Sequence, residues 1–438
     1  MTLSALQDKI TNKESTVAII GLGYVGLPVA CMFAKAGFKT LGVDIDQARV
    51  DKINQGINPI EGIEPGLSEL VQSVTETQNL TCTTDYAMLA DADVITISVQ
   101  TPVDSDHQPR YEHLKSALTT LGNVLTADTL VIIESTLSPG TMTGIVQPTL
   151  EASSGLQAGI DFYLGHCPER VMPGRLLHNI QMMNRVIGGL TPEIAEVMTT
   201  FYQQIVQGDL DTTDVLTAEL VKTTENAYRD VQIAFANEVA QICEDVGADV
   251  WELRQLVNKS PGRNMLYPGA GVGGHCIPKD PWLLISSATH STPSLIPTAR
   301  AVNASMPQHV LHLTENALSK HDIALKDAKI VALGYAYLEN SDDTRNSPSE
   351  AFVQVAWSAE AEVCIHDPYV PAYQQSLDDM VHNADALVIL VAHDMYKTLD
   401  WQALLSTMRT PIIVDSRNVI DTLPASIEAD FVRLGSPK

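Results

Sequence analysis

Residues 16–46 run TVAIIGLGYVGLPVACMFAKAGFKTLGVDID. A short β-rich apolar run, Thr16–Ile20, leads into Gly21, Gly23 and Gly26, and these lead into a segment of helix composition. Glycines spaced this way between a strand and a helix each have a mechanical task. Gly21 permits the turn, Gly23 lets a pyrophosphate approach the backbone, and Gly26 lets the helix pack closely on the strand. Tyr24 and Val25 belong to the same turn. The next apolar run ends in Asp44, where a carboxylate can accept hydrogen bonds from adenosine ribose hydroxyls and would repel a 2′-phosphate. Asp46 is the alternative acid, and Arg49 follows close by as a further cofactor contact. The stretch predicts a dinucleotide-binding βαβ unit that takes NAD rather than NADP.

Outward from it the same alternation continues through ADVITISVQTP and TLVIIEST, and it returns near the other end as KIVALGYAY, AEVCIHDPYV, ADALVILVAHDMY and PIIVDSRNVI. Strands alternating with helical segments predict parallel sheets. The expected fold class is α/β, with two doubly wound Rossmann-like domains joined by a long central helix and a helical dimerisation domain. That helix is expected from Asp214 to Gly247, with a shorter one after it, because the stretch lacks proline and is rich in Ala, Leu, Val and Glu. The expected domains are residues 1–212, a nucleotide-binding Rossmann domain; 213–312, central and helical; and 313–438, a second Rossmann-like domain.

A chain of 438 residues exceeds what one hydrophobic core normally serves. Its formal charge of −26 argues against nucleic acid as a partner, since that binding rests on many Lys and Arg contacts. The apolar run Ala386–Ala392 is far short of the roughly 20 residues a membrane span needs. The first residues have neither the basic start nor the apolar core of a signal peptide, so the cytoplasm is the expected compartment. Six cysteines, Cys31, Cys82, Cys167, Cys243, Cys276 and Cys364, show no metal-binding spacing; free thiols and no metal are expected.

Polar residues at the ends of predicted parallel strands are candidate ligand contacts: Thr101 and Pro102 after one, Ser135 and Thr136 after another. The most informative loop is GAGVGGHCIPKDPW, residues 269–282. Its four glycines describe a backbone that approaches something closely. Cys276 follows two of them, Lys279 would favour a thiolate, and Asp280 could handle protons or order water. On the predicted central helix, Glu219, Lys222, Asn226 and Arg229 share one face. A polar stripe on an otherwise apolar helix usually faces a cavity.

These motifs resemble the UDP-glucose/GDP-mannose dehydrogenase family over nearly the whole chain: GLGYVGLP, then AELVKTTENAYRDVQIAFANE, then the cysteine loop, then DDTRNSP and DSRNV. The resemblance implies oxidation of a sugar C6 alcohol to a carboxylate, with Cys276 as covalent catalyst. It implies that Lys222, Asn226, Asp280 and Thr136 stabilise charge and orient water, and that Glu169, in CPERVMPGR, serves the thioester hydrolysis step. It places Arg170, Val171, Arg229, Tyr267 and Gly273 among the substrate contacts, with Arg417 on the nucleotide. Lys279 and Arg345 fall on the cofactor side. A homodimer around the long helix is implied as well, in which Arg263 reaches the neighbouring subunit's substrate.

Two positions depart from the family. Relatives that oxidise UDP-glucose carry a second glutamate where this chain has Pro173, and many carry a lysine where it has Leu338. The combination is most similar to the branch acting on UDP-N-acetylmannosamine or UDP-N-acetylglucosamine, with UDP-glucose or GDP-mannose as the alternative. A β-hydroxyacid dehydrogenase would need neither the cysteine nor a second α/β domain. A non-catalytic nucleotide-sugar binder would not need Lys222, Cys276 and Asp280 together.

Overall fold

The computed structural model describes residues 2–420, 423 and 428–437. Its strands are β1 (Thr16–Ile20), β2 (Lys39–Val43), β3 (Leu80–Thr83), β4 (Val94–Ile97), β5 (Leu130–Ile133), β6 (Tyr163–His166), β7 (Arg185–Gly189), β8 (Leu210–Asp214), β9 (Lys329–Leu333), β10 (Glu362–His366), β11 (Ala386–Ile389), β12 (Ile412–Asp415) and β13 (Asp430–Arg433). They form two sheets, ordered β3-β2-β1-β4-β5-β6-β7-β8 and β10-β9-β11-β12-β13. The second is parallel throughout, whereas in the first β7 runs antiparallel to β6.

Each sheet is covered on both faces, and the sequence shows how. In β1, Val17 and Ile19 enter one apolar core while Ala18 and Ile20 enter another. In β9, Ile330 and Ala332 likewise part from Val331 and Leu333. Side chains alternate sides with period two, so a strand covered on both sides must be apolar at every position.

By the packing of its backbone the chain divides into two compact units, Met1–Glu225 with Trp282–Ser291, and Asn226–Pro281 with Thr292–Lys438. The helix expected after Asp214 is Val215–Val246. Asp214 caps it, accepting from the Thr217 amide at 2.9 Å and the Thr217 hydroxyl at 2.7 Å. It stops at Gly247, whose φ of +76° ends the helix in the left-handed region. The shorter helix, Val250–Val257, is capped by Asp249.

The helix is unusual in what it buries. Ala218, Glu219, Lys222, Thr223, Ala227, Asp230, Asn237 and Ala240 are buried, while Leu216, Leu220, Tyr228, Phe235, Ile242 and Val246 are exposed. Of the polar stripe expected from sequence, Glu219 and Lys222 are buried and Asn226 is half-buried, but Arg229 is exposed beside Tyr228.

Candidate active site

In a doubly wound sheet, ligands bind where the strand order reverses, beyond the strands' C-terminal ends. In the first sheet that place lies between β1 and β4. Gly21 leaves β1 with φ +92°, and a Cβ there would lie 2.4 Å from the Ser98 carbonyl oxygen of the loop after β4. A Cβ on Gly26 would lie 1.9 Å from the Gly21 carbonyl oxygen. Around Gly23 nothing stands within 4 Å of where a Cβ would be. Two glycines are thus required by the chain itself, and the middle one leaves open space for a ligand. That space, with Asp44 beside it, fits a dinucleotide pyrophosphate and ribose.

Asp44 is buried and already organised. One oxygen accepts from the Leu22 amide at 2.7 Å and faces Arg49 at 3.2 Å; the other accepts from the Asp46 amide at 2.9 Å. Asp46, the alternative acid, caps the next helix through Ala48 and Arg49. Thr101 donates to the Thr136 carbonyl at 2.7 Å, and Ser135 both donates to the Val99 carbonyl at 2.7 Å and accepts from the Val99 amide at 2.9 Å. These side chains lace the loops after β4 and β5 together. Glu219 holds the same region from the long helix, accepting from the amides of Gly140 and Met142, each at 2.7 Å. Burial outweighs those amides and raises its carboxyl to about 7.

Beyond β6 lies CPERVMPGR. Glu169 is buried, with Arg185 at 2.5 Å from one oxygen and the Arg170 amide 2.9 Å from the other. The Arg170 guanidinium pairs with Glu225. One connection was not expected. Glu64 accepts from the Tyr24 hydroxyl, from the Gly174 amide at 2.7 Å and from the Leu176 amide at 3.2 Å, tying the glycine turn to this loop. A lone acid in a loop gives no sequence signal, and Arg185 gives none either, since it opens an otherwise apolar strand.

In the second unit the glycine-rich loop is held at both ends. The Gly269 amide donates to Asn237 at 2.9 Å, and Asn237 belongs to a buried set in which Asn303 and Arg300 contact Asp230. The Gly274 amide donates to the Arg345 carbonyl at 2.8 Å, and Asn346 donates back to the Gly274 carbonyl at 3.0 Å. Gly273 has no room for a side chain, because a Cβ would meet the Tyr337 Cβ at 2.5 Å and the Asn346 carbonyl oxygen at 2.8 Å. Cys276 comes next, and its carbonyl accepts from the amides of Lys279 (3.0 Å) and Asp280 (2.8 Å). Of the six cysteines it alone is exposed. Asp280 is fully buried, 2.9 Å from the Lys279 ammonium and 2.6 Å from the Asn226 amide nitrogen. Burial, Lys279 and Arg345 together lower His275, so it stays neutral near pH 7. The turn therefore gathers Asn226, Cys276, Lys279 and Asp280 within one unit.

The remaining expected residues are dispersed. Tyr267 is exposed, with the Arg254 guanidinium 3.5 Å over its ring. Arg263 is exposed and donates to the Pro261 carbonyl. Arg345 pairs with Asp343, and Arg417 lies 3.0 Å from Glu339. Gly269 is pressed against Arg417, whose nitrogen stands 2.6 Å from the place of a Cβ.

The second sheet repeats the first sheet's switch point with a different result. Gly334, φ +94°, leaves β9 against Val391, which follows β11. Asp367 follows β10 as Asp44 follows β2, and it also braces the glycine turn, accepting from the amides of Tyr335 (2.7 Å) and Ala336 (2.9 Å). Its other oxygen takes the amides of Tyr369 and Val370, while His393 stands 3.1 Å from the first. Burial would raise its carboxyl, but His393 and the amides pull it down to about 2. Asp367 thus accepts four backbone amides of its own domain, where Asp44 accepts two and faces Arg49.

Comparison with known proteins agrees with this arrangement. Residues 15–206 match the NAD binding domain of the UDP-glucose/GDP-mannose dehydrogenase family, 216–305 its central domain, and 331–422 its UDP binding domain. A UDP-N-acetyl-D-mannosamine dehydrogenase of Pyrococcus horikoshii is 41% identical over 408 residues, covering 93% of this chain and 96% of that protein. An NDP-N-acetyl-D-galactosaminuronic acid dehydrogenase of Ralstonia nicotianae is 36% identical, covering 92% and 96%. The solved structure of the UDP-ManNAc dehydrogenase from Pyrococcus horikoshii superposes with a TM-score of 0.91 at 40% identity, over 96% of this chain and 99% of that one. The chain belongs to the UDP-glucose/GDP-mannose dehydrogenase family and is an NAD-dependent nucleotide-sugar dehydrogenase.

Proposed function

We propose that the enzyme oxidises the C6 hydroxyl of a UDP-N-acetylhexosamine, UDP-N-acetylmannosamine before UDP-N-acetylglucosamine, to the uronic acid through a thioester on Cys276. The observation that carries this reading is the turn at Cys276: an exposed thiol followed by a buried Lys279–Asp280 pair, with Asn226 bound to the same carboxylate. Pro173 in place of a second glutamate, and the activities named for the relatives of Pyrococcus horikoshii and Ralstonia nicotianae, favour an N-acetylated sugar.

A carboxylate product requires two hydrides to leave one carbon, and NAD accepts them when bound. Gly21, Gly23, Tyr24, Val25, Gly26 and Asp44 are the residues to hold it, and Arg49, Thr101, Ser135, Thr136, Lys279 and Arg345 are assigned to the cofactor as well. After the first oxidation the Cys276 thiolate adds to the C6 aldehyde, and the second oxidation leaves the thioester. Lys222, Asn226 and Thr136 stabilise the oxyanion, while Asp280 and Glu169 handle the water that releases the acid. Arg170, Val171, Arg229, Arg263, Tyr267, Gly273 and Arg417 are assigned to the nucleotide sugar.

We also infer a homodimer in the cytoplasm. Leu216, Leu220, Tyr228, Phe235, Ile242 and Val246 form an exposed apolar stripe on the long helix, with Phe235 59% and Val246 71% exposed. A stripe of that kind marks an interaction surface. Among the described residues no helix is long and apolar enough to cross a membrane.

The test is a panel of UDP- and GDP-sugars with NAD, reading NADH per sugar and product mass. Two NADH per N-acetylhexosamine is the expected result, with Cys276→Ala inactive. UDP-glucose as the best substrate would overturn the sugar assignment; uronic acid formed at the wild-type rate by Cys276→Ala would overturn the mechanism.

A further inference from the structure

We propose that Arg185 is a positioning residue that holds Glu169 aimed for the step that frees the product from the enzyme. This rests on the reading of Glu169 as the group that takes a proton from the hydrolytic water.

The strand order explains why an arginine at the start of β7 meets Glu169. β6 delivers its following loop to the sheet edge where ligands bind, and a parallel β7 would begin at the far edge. Instead β7 is antiparallel, pairing Gly165 with Gly189 and His166 with Gly188. Continued three residues past the last pair, that register sets Glu169 opposite Arg185. The reversal thus brings the first residue of β7 to the ligand edge, and the guanidinium stands 2.5 Å from Glu169 Oε2.

The surroundings leave this charge for Glu169. Both side chains are nearly sealed, Arg185 at 3% exposure and Glu169 at 5%. The other acid facing Arg185 is Glu134, whose oxygens are bound to the Tyr202 hydroxyl at 2.7 Å and the Ser98 hydroxyl at 2.8 Å. Burial raises Glu134, and Glu169 is the acid in ion-pair contact with Arg185. Cys167 is raised to about 12 by burial and stays a neutral thiol. The Arg185 guanidinium lies 5.0 Å over the Tyr202 ring, which fixes it from the other side. Glu169 Oε1 accepts from the Arg170 amide at 2.9 Å, and Oε2 faces the guanidinium. Oε1 keeps a second lone pair for water.

In the hydrolytic step a water oxygen adds to the thioester carbonyl and one water proton passes to Glu169. The C–S bond then breaks, leaving its electron pair on the Cys276 sulfur, and the acid and the proton on Glu169 depart to solvent. No oxidant is consumed. Loss of Arg185 leaves the two oxidations intact and slows this step alone.

The experiment compares wild type, Arg185→Gln, Arg185→Lys and Glu169→Gln, with NAD and the nucleotide sugar that the panel identifies. NADH is followed by rapid mixing and Cys276 by intact mass. Arg185→Gln is expected to give a burst of two NADH per chain, then turnover slowed about tenfold or more, with an acyl adduct on Cys276. Arg185→Lys should fall between the two and still show adduct. Arg185→Gln that loses the burst without adduct, or that turns over within twofold of wild type, would overturn the proposal. If Arg185→Gln does not fold, Arg185→Lys decides, and a wild-type ratio of burst to steady rate overturns it. Adduct in Glu169→Gln but in neither arginine variant removes the role of Arg185 alone. No adduct in Glu169→Gln removes the reading of Glu169 itself.

Discussion

Replacing Gly23 by alanine should separate ligand affinity from folding, because the three glycines of the first turn differ in what a methyl group would meet. At Gly23 it would meet nothing within 4 Å, and the backbone is not in the left-handed region. Folding stability should therefore change by no more than about 0.5 kcal/mol, as for an unconstrained surface site. The same methyl occupies the space assigned to the NAD pyrophosphate, and crowding a close-packed contact costs about 1–3 kcal/mol. That is a loss of roughly 5- to 150-fold in affinity. Gly26 gives the reverse result. Its methyl would lie 1.9 Å from the Gly21 carbonyl oxygen and 3.1 Å from Ile19 Cγ2, a clash present before any ligand arrives. Gly26→Ala should lower the melting temperature of the ligand-free enzyme by several degrees. Calorimetric titration with NAD and thermal melts without it measure the two effects. The reasoning is refuted if Gly23→Ala binds NAD within twofold of wild type, or if Gly26→Ala melts at the wild-type temperature.

Glu219, raised to about 7 by burial, binds a proton more tightly in the folded chain than in the unfolded one. Its contribution to stability should therefore fall as pH rises from the ordinary glutamate range to about 7; Glu219→Gln should flatten that part of a melting-versus-pH curve. Phe235→Asp puts a charge on the exposed apolar stripe and should shift the protein toward monomer in sedimentation at micromolar concentration, whereas an unchanged dimer would place the interface elsewhere. Asp44→Ser removes the acid and releases Arg49 to meet a phosphate, so the preference of kcat/KM for NAD over NADP should narrow by about tenfold or more. An unchanged ratio would remove Asp44 as its determinant.

The sequence was most legible where one residue type has one physical use. Gly21, Gly26 and Gly273 stand where no side chain fits, and the apolar runs of β1 and β9 stand where both faces are covered. It was least legible where partners are distant in the chain. β8, LDTTD, lies at a sheet edge and carries no apolar pattern to mark it. Glu64 and Arg185 matter through contacts with Tyr24 and Glu169 that no local spacing encodes. On the long helix Asp230, which the expected polar stripe does not include, faces inward and meets Arg300 and Asn303, while Arg229 is exposed.

The distribution of thiols makes the protein countable. Cys31, Cys82, Cys167 and Cys243 are buried and Cys364 is partly covered, and burial pushes each of these five away from the reactive anion. Cys276 is left as the sulfur that a small electrophile reaches first. One equivalent of an alkylating reagent per chain should then silence the preparation, and the equivalents needed report the fraction of competent molecules. The same exposure makes peroxide the natural hazard of this enzyme in storage, and a reductant its simplest remedy while oxidation has gone no further than the sulfenic acid.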